Sequence, residues 1–217
     1  MRRHRLLAGL LPLLLACSTG GGGGDDDDAA GTGASGGVGP GGGPVGGSGA
    51  GASGAAGGGV LLPLAVGNGW TYDIADVGAG SVCAAGQGTW EVIGAQAIDG
   101  KSAFEATSWC SGVSGTSFYA PGTGDEVFYD YNGQWLTMID PTLQEGHSWD
   151  YFNTSYTWHQ EPSVTVPLGT LSDCWTAEQN VSYTAYLTYC RGVGLVRSYS
   201  SDLTGAGWDA QLSAKSF

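Results

Sequence analysis

The chain has 217 residues, 41 of them glycine, and a formal net charge of −13 from 20 acidic against 7 basic side chains. A surface that acidic repels phosphate backbones and anionic lipid headgroups, which excludes nucleic acid as a partner. All eight Trp, ten Tyr and five Phe lie beyond residue 60, so a packed core can form only in that part of the chain.

The first residues read as an export signal. Arg2, Arg3, His4 and Arg5 make a positive start, and an apolar run from Leu6 to Ala16 follows, interrupted by Gly9 and Pro12. That run is about half of the roughly twenty residues a membrane-spanning helix needs, and it predicts a removable signal peptide over 1–16. Arg2-Arg3 is also similar to a twin-arginine signal, but the flanking residues fit poorly and the apolar core suits the general secretory route.

Leu14-Leu15-Ala16-Cys17 resembles the lipobox of bacterial lipoproteins. The resemblance implies cleavage before Cys17, a thioether-linked lipid on its sulfur and a fatty acyl chain such as palmitate on its new amino group. The alternative is an ordinary cleaved signal followed by an incidental cysteine. One acyl chain binds a membrane only marginally and two or more anchor it stably, so Cys17 would decide the address of everything downstream. Ser18 points to the outer membrane under the sorting rule of some bacterial groups. Removing Arg2, Arg3 and Arg5 would take the net charge from −13 to about −16.

Residues 17–59 are a tether. Beyond Cys17 they are mostly Gly, Ala and Ser with an acidic block from Asp25 to Asp28 and no aromatic residue. Such a segment has too little apolar surface to offset the entropy of ordering it, and predicts a coil with an end-to-end distance on the order of 35 Å. The Asp block reads either as a surface-sorting signal or as a solvated run that keeps the tether extended.

From Val60 to Phe217 the chain reads as one all-β domain, in which four basic residues stand against sixteen carboxylates. Trp70, Tyr72 and Ile74 alternate with Thr71, Asp73 and Ala75, the period of a half-buried strand. Asp99-Gly100 separates runs 89–97 and 101–109, and Asn132-Gly133 separates 127–131 from 134–139. Both dipeptides supply the positive-φ residues of a type I′ hairpin turn. Further strands are predicted near 148–158, 163–166, 171–178, 183–190, 194–200 and 208–216. Turn residues every eight to twelve positions suggest an antiparallel β-sandwich or a strongly curved, partly closed sheet.

Four cysteines remain beyond Cys17. An even number in an exported chain predicts disulfides, and of the three connectivities Cys83 with Cys110 and Cys174 with Cys190 is favoured, because each pair flanks one predicted hairpin. A metal site competes poorly, since no C-x-x-C spacing occurs.

Several segments in order resemble secreted TapB-like domains, related to families of unknown function. Pro63-Leu64-Ala65-Val66-Gly67-Asn68-Gly69-Trp70-Thr71-Tyr72 is similar to their P-L-x-V-G-x-x-W-T-Y opening. Glu145–Trp149, Val164–Thr170 and Arg191–Arg197 are similar to later turn and strand motifs, with Leu168 departing from the usual alanine. The resemblance spans most of 63–200 and implies a fold and an extracytoplasmic address, but transfers no catalytic residue.

For chemistry, residues 60–217 have no G-x-S-x-G elbow, H-E-x-x-H helix or EF-hand loop, and glycine patterns in the tether match by composition alone. His147, Asp150, His159 and Glu161 are the candidates for a metal or acid–base site, but their spacing fits no ligand motif, and no catalytic residue, metal or cofactor is assigned. The aromatic clusters Tyr129–Trp135 and Trp149–Trp158 offer a ligand platform, for which Trp135, Trp149, Tyr151 and Trp158 are the candidates, against the alternative that these rings fill a β core. Three readings follow: a lipid-anchored, non-enzymatic envelope module with an unspecified glycan or protein partner; a carbohydrate or small-ligand binder acting through exposed Trp and Tyr; and an unrecognised hydrolase.

Overall fold

The computed structural model describes residues 59–78 and 81–217. The predicted signal peptide, Cys17, Ser18 and Asp25–Asp28 lie outside the described residues, as does the tether up to its last residue.

The described part forms twelve antiparallel strands in one sheet. They are β1 (Gly69–Val77), β2 (Gly86–Ile98), β3 (Lys101–Ala106), β4 (Ser117–Pro121), β5 (Val127–Tyr131) and β6 (Gln134–Ile139). The second half supplies β7 (Ser148–Tyr151), β8 (Thr154–Val166), β9 (Gly169–Gln179), β10 (Thr184–Cys190), β11 (Gly194–Ser201) and β12 (Gly207–Lys215). Their order is β6-β5-β4-β3-β2-β1-β12-β11-β10-β9-β8-β7, so each strand pairs with its neighbours in sequence and β1 with β12 joins the two halves. This is the curved, partly closed sheet of the two architectures the sequence allowed, and the open seam falls mid-chain, between β6 and β7.

Local chemistry sets the turns. Asp99-Gly100 (φ 48° and 78°) and Asn132-Gly133 (φ 53° and 80°) both adopt the left-handed backbone their hairpins need. The single strand expected at 148–158 is instead two, because Phe152 and Asn153 turn at φ 55° and 62°. A bulky aromatic seldom takes positive φ, so nothing in Phe152 announces a turn. The strand expected near 163–166 is the continuation of β8 through Pro162, and β4 had no sequence signal of its own.

Alternation then sorts the faces. Trp70, Tyr72 and Ile74 are buried while Asp73 and Ala75 are exposed, and Tyr156 and Trp158 are buried between Thr157 and His159. The interior is apolar and aromatic and the outward positions are polar, the reverse of a lipid-facing barrel. Cys83 bonds Cys110 and Cys174 bonds Cys190, the latter pair directly opposite each other on β9 and β10. The Cys83–Cys110 bridge ties down the β3–β4 loop, whose Trp109 packs on Tyr72 and Trp208. Gly112 in that loop lies so close to the Val82 carbonyl that a Cβ would collide with it.

Side chains close the seam. Asp140, just past β6, accepts a hydrogen bond from Trp158 Nε1 on its carbonyl (3.2 Å), and its carboxylate pairs with His147 Nε2 (3.1 Å). Tyr129 meets Tyr151 edge-on (6.3 Å) and Tyr131 meets Phe152 (4.3 Å), each joining β5 to the β7 side. Trp158→Ala is expected to lower unfolding free energy by about 3–5 kcal/mol. Trp158→Phe, which keeps a ring and loses the Asp140 bond, is expected to cost clearly less in the same denaturant titration.

Burial also sets a pH limit. Desolvation raises the phenol pKa values of Tyr72, Tyr119, Tyr151, Tyr156 and Tyr189, with neighbouring phenols adding to it. Their folded values exceed the unfolded value of about 10, so the stability they confer is complete below that pH and is lost progressively as pH rises from there through the higher folded values. Phenolate absorbance of these residues should therefore appear together with loss of β-structure circular dichroism. Their ionisation in a still-folded protein would show that the rings are not enclosed.

Candidate functional site

The four platform candidates do not form an exposed face. Trp149, Tyr151 and Trp158 are 8%, 2% and 0% exposed, and Trp135 on β6 is half-buried. Trp149 stacks on Trp158 (4.6 Å) and on Tyr156 (5.6 Å), so the cluster is an interior wall beside the seam. Among the described residues the indole N–H groups of Trp135 and Trp149 and the Tyr151 hydroxyl have no hydrogen-bond partner, and ring packing holds Trp149 and Tyr151 in place. A strand-period aromatic run encodes which rings share a face, but the same run serves a core and a platform equally well.

Among the described residues one inner cavity is small. The cavity beneath the β3–β4 loop, between Trp90, Trp109, Tyr119 and Trp208, is about 40 Å³. Small-molecule sites are usually about 300–1,000 Å³.

The histidines serve separate carboxylates. His147 faces Asp140, whereas His159 Nδ1 lies 2.8 Å from Glu145 and Nε2 lies 3.3 Å from Glu178. Glu145 also accepts the Gln160 backbone N–H at 2.7 Å, and that bond first, then His159, holds its carboxyl below the usual carboxylate range. Among the described residues no group of three or more His, Cys, Asp or Glu side chains is placed to hold a metal ion.

The concave surface is outside. A groove of about 490 Å³ crosses β8, β9, β10 and β11. One row of its lining runs in register from His159 through Thr176 and Thr188 to Arg197. The next runs from Glu178 to Tyr186, with Tyr199 behind it. Glu161, Ser163, Val164 and Thr165 on β8 form the far wall. Tyr186 and Tyr199 stack at 5.0 Å and 11°, and the Arg197 guanidinium sits 5.4 Å from the Tyr186 ring. Arg197 is itself forked onto Asp209 (2.9 and 2.8 Å), and that hydrogen bond raises its pKa further above the range in which it could lose its proton.

The groove is concave because the β8–β9 hairpin bends. Pro162, which lacks an N–H, stands across from Asp173, which takes φ 56°, between the paired rows Glu161–Cys174 and Ser163–Ser172. Beyond that point the hairpin tip reaches β12, where Leu168 N–H donates to the Leu212 carbonyl (3.0 Å). Arg191 braces the bend. Its Nε donates to Asp173 (3.1 Å), and its Nη1 donates to both Asp125 oxygens (2.9 Å each) and to the Gly59 carbonyl (3.0 Å). Neither the groove nor this brace is legible in the sequence, since the partners lie far apart along the chain.

No protein-family model matches the sequence, and no curated protein matches it at a significant level. The resemblance to TapB-like domains thus has no family match behind it. Among solved structures, the chain is similar to a crystal structure from Bacteroides fragilis, of a protein inferred to be exported and with a YmcC-like fold. The TM-score is 0.46 and the identity 11%, over 73% of this chain and 100% of that one. It is also similar to a protein from Parabacteroides distasonis inferred to be a lipoprotein, with a TM-score of 0.42 and 16% identity over 73% and 99% of the two chains. Likeness at this level carries no argument about function, and the fold assignment rests on the strand order described above.

Arg191→Ala would leave Asp125 and Asp173 without their shared cation. It is expected to lower unfolding free energy by about 1.5–3 kcal/mol, with Arg191→Lys intermediate because an ammonium cannot reproduce the fork.

Proposed function

We propose that the protein is a lipid-anchored, extracytoplasmic bacterial envelope protein, most naturally of the outer membrane, that acts by binding rather than by catalysis. The observation that carries the address is the pair of disulfides, Cys83–Cys110 and Cys174–Cys190, each closing a loop of the folded domain. Structural disulfides persist in oxidising compartments, and the leader ending in Leu14-Leu15-Ala16-Cys17 supplies both the export route and the attachment point. Cys17 would carry the lipid, and residues 18–59 would hold the domain clear of the bilayer while leaving it free to turn. The chain enters the domain at a braced point, where Gly192 N–H donates to the Val60 carbonyl and Leu61 N–H to Asp125.

A binding role is supported by how the domain uses its space. Aromatic side chains occupy the interior, while a groove of about 490 Å³ lies on the outer face, where His159 pairs with Glu178 and Arg197 with Asp209. The partner of that face is an envelope protein or a glycan.

Intact mass of the unreduced protein purified from host membranes tests the address. The expected species begins at Cys17, is heavier by its acyl chains and is lighter by four hydrogens for the two disulfides. Cys17→Ser should move the protein to the soluble extracytoplasmic fraction. An unlipidated species cut at another residue would overturn the proposal.

A further inference from the structure

We infer that the outer groove across β8–β11 is a binding site for a neutral glycan. The inference goes beyond the envelope reading and does not depend on lipidation, since it concerns only the folded domain.

The aromatic element is Tyr186. It lines the groove while Tyr199 stacks behind it at 5.0 Å and the Arg197 guanidinium lies 5.4 Å from its centre. A ring braced in this way is already ordered, so stacking a pyranose on it would cost little side-chain entropy. The apolar C–H face of a sugar fits an aromatic ring, and its hydroxyls need donors and acceptors around the rim. The Thr165, Thr176 and Thr184 hydroxyls, the Glu161 and Glu178 carboxylates and the Arg197 guanidinium all line this groove. They stand on successive strands, which are about 4.8 Å apart, close to the length of one sugar unit, so an oligosaccharide could meet one row after another.

Charge selects within that class. Arg197 is neutralised by Asp209, and His159 lies between Glu145 and Glu178. Among the described residues the groove therefore has no uncommitted cation for an acidic ligand, whereas Glu161 and Glu178 would repel one. A lipid tail or an apolar peptide is disfavoured because Val164 is the one aliphatic side chain in the lining. Strand addition by a peptide is also disfavoured, because β9, β10 and β11 are laddered on both sides and have no free edge at the groove.

The test is isothermal titration of the full mature chain in detergent micelles with a defined set of probes. The neutral set is maltohexaose, cellohexaose, xylohexaose, mannohexaose and chitohexaose, and the acidic set is oligogalacturonides. Saturable binding of at least one neutral hexasaccharide is expected, with the oligogalacturonides not bound. Tyr186→Ala should weaken binding by about tenfold. Thr184→Trp, at an exposed position that fills the groove without removing a core contact, should abolish it, while Lys101→Ala, remote from the groove, should leave it unchanged. The inference is overturned if no neutral probe binds the folded protein, if oligogalacturonides bind as well as neutral probes, or if Thr184→Trp binds normally. Because lipidation is read by mass and the groove by titration, either reading can fail while the other stands.

Discussion

The sheet has to close without a hydrogen-bonded ladder at one place, and the rest of the structure accommodates that demand. Every neighbouring pair in the order from β6 round to β7 exchanges backbone bonds, but the ends of the circle, β6 and β7, meet through side chains. Asp140 binds Trp158 and His147 from one side of the seam, and rings from β5 meet rings at β7 from the other. Large aromatic side chains suit this task, because a single ring buries much apolar area and spans a gap that aliphatic side chains would leave open. The stacked Trp149, Trp158 and Tyr156 are the consequence.

A barrel closed in this way has little interior left for a ligand. Among the described residues the space under the disulfide-tied β3–β4 loop is about 40 Å³, whereas lipocalin-like barrels keep their centre open for a guest. Recognition is thereby moved to the outside, where a strand face offers side chains in straight rows at regular spacing. The bent β8–β9 hairpin turns one such face into a groove, and the bend depends on Pro162, Asp173 and the Arg191 brace. Arg191 also binds the Gly59 carbonyl, so the point where the tether enters and the arm that shapes the groove share one cation.

Legibility differed from element to element for physical reasons. The β5–β6 hairpin was readable because Asn132-Gly133 is one of the few dipeptides suited to two consecutive positive-φ residues. The β7–β8 turn was not, because Phe152 and Asn153 are forced into the same backbone by the strands they join and by the contact of Phe152 with Tyr131. The aromatic run 149–158 was readable as strand with a shared face, yet its side of the sheet was not, since burial depends on how the sheet curls. Tyr186, Tyr199 and Arg197 carried no motif at all. Their spacing is ordinary for strands, and they became a site only when β10 and β11 came into register.

The sequence by itself determined the all-β class, most of the strands and the two Asx-Gly turns. Each of these rests on local composition or a period of two, which a linear chain expresses directly. Closure in a circle, the mid-chain seam, the inward placement of Trp149, Tyr151 and Trp158, and the outer groove were decided only by the tertiary structure. All of them depend on which distant strands become neighbours and which way the sheet curves, and that is settled by the collective packing of rings inside it rather than by any one segment.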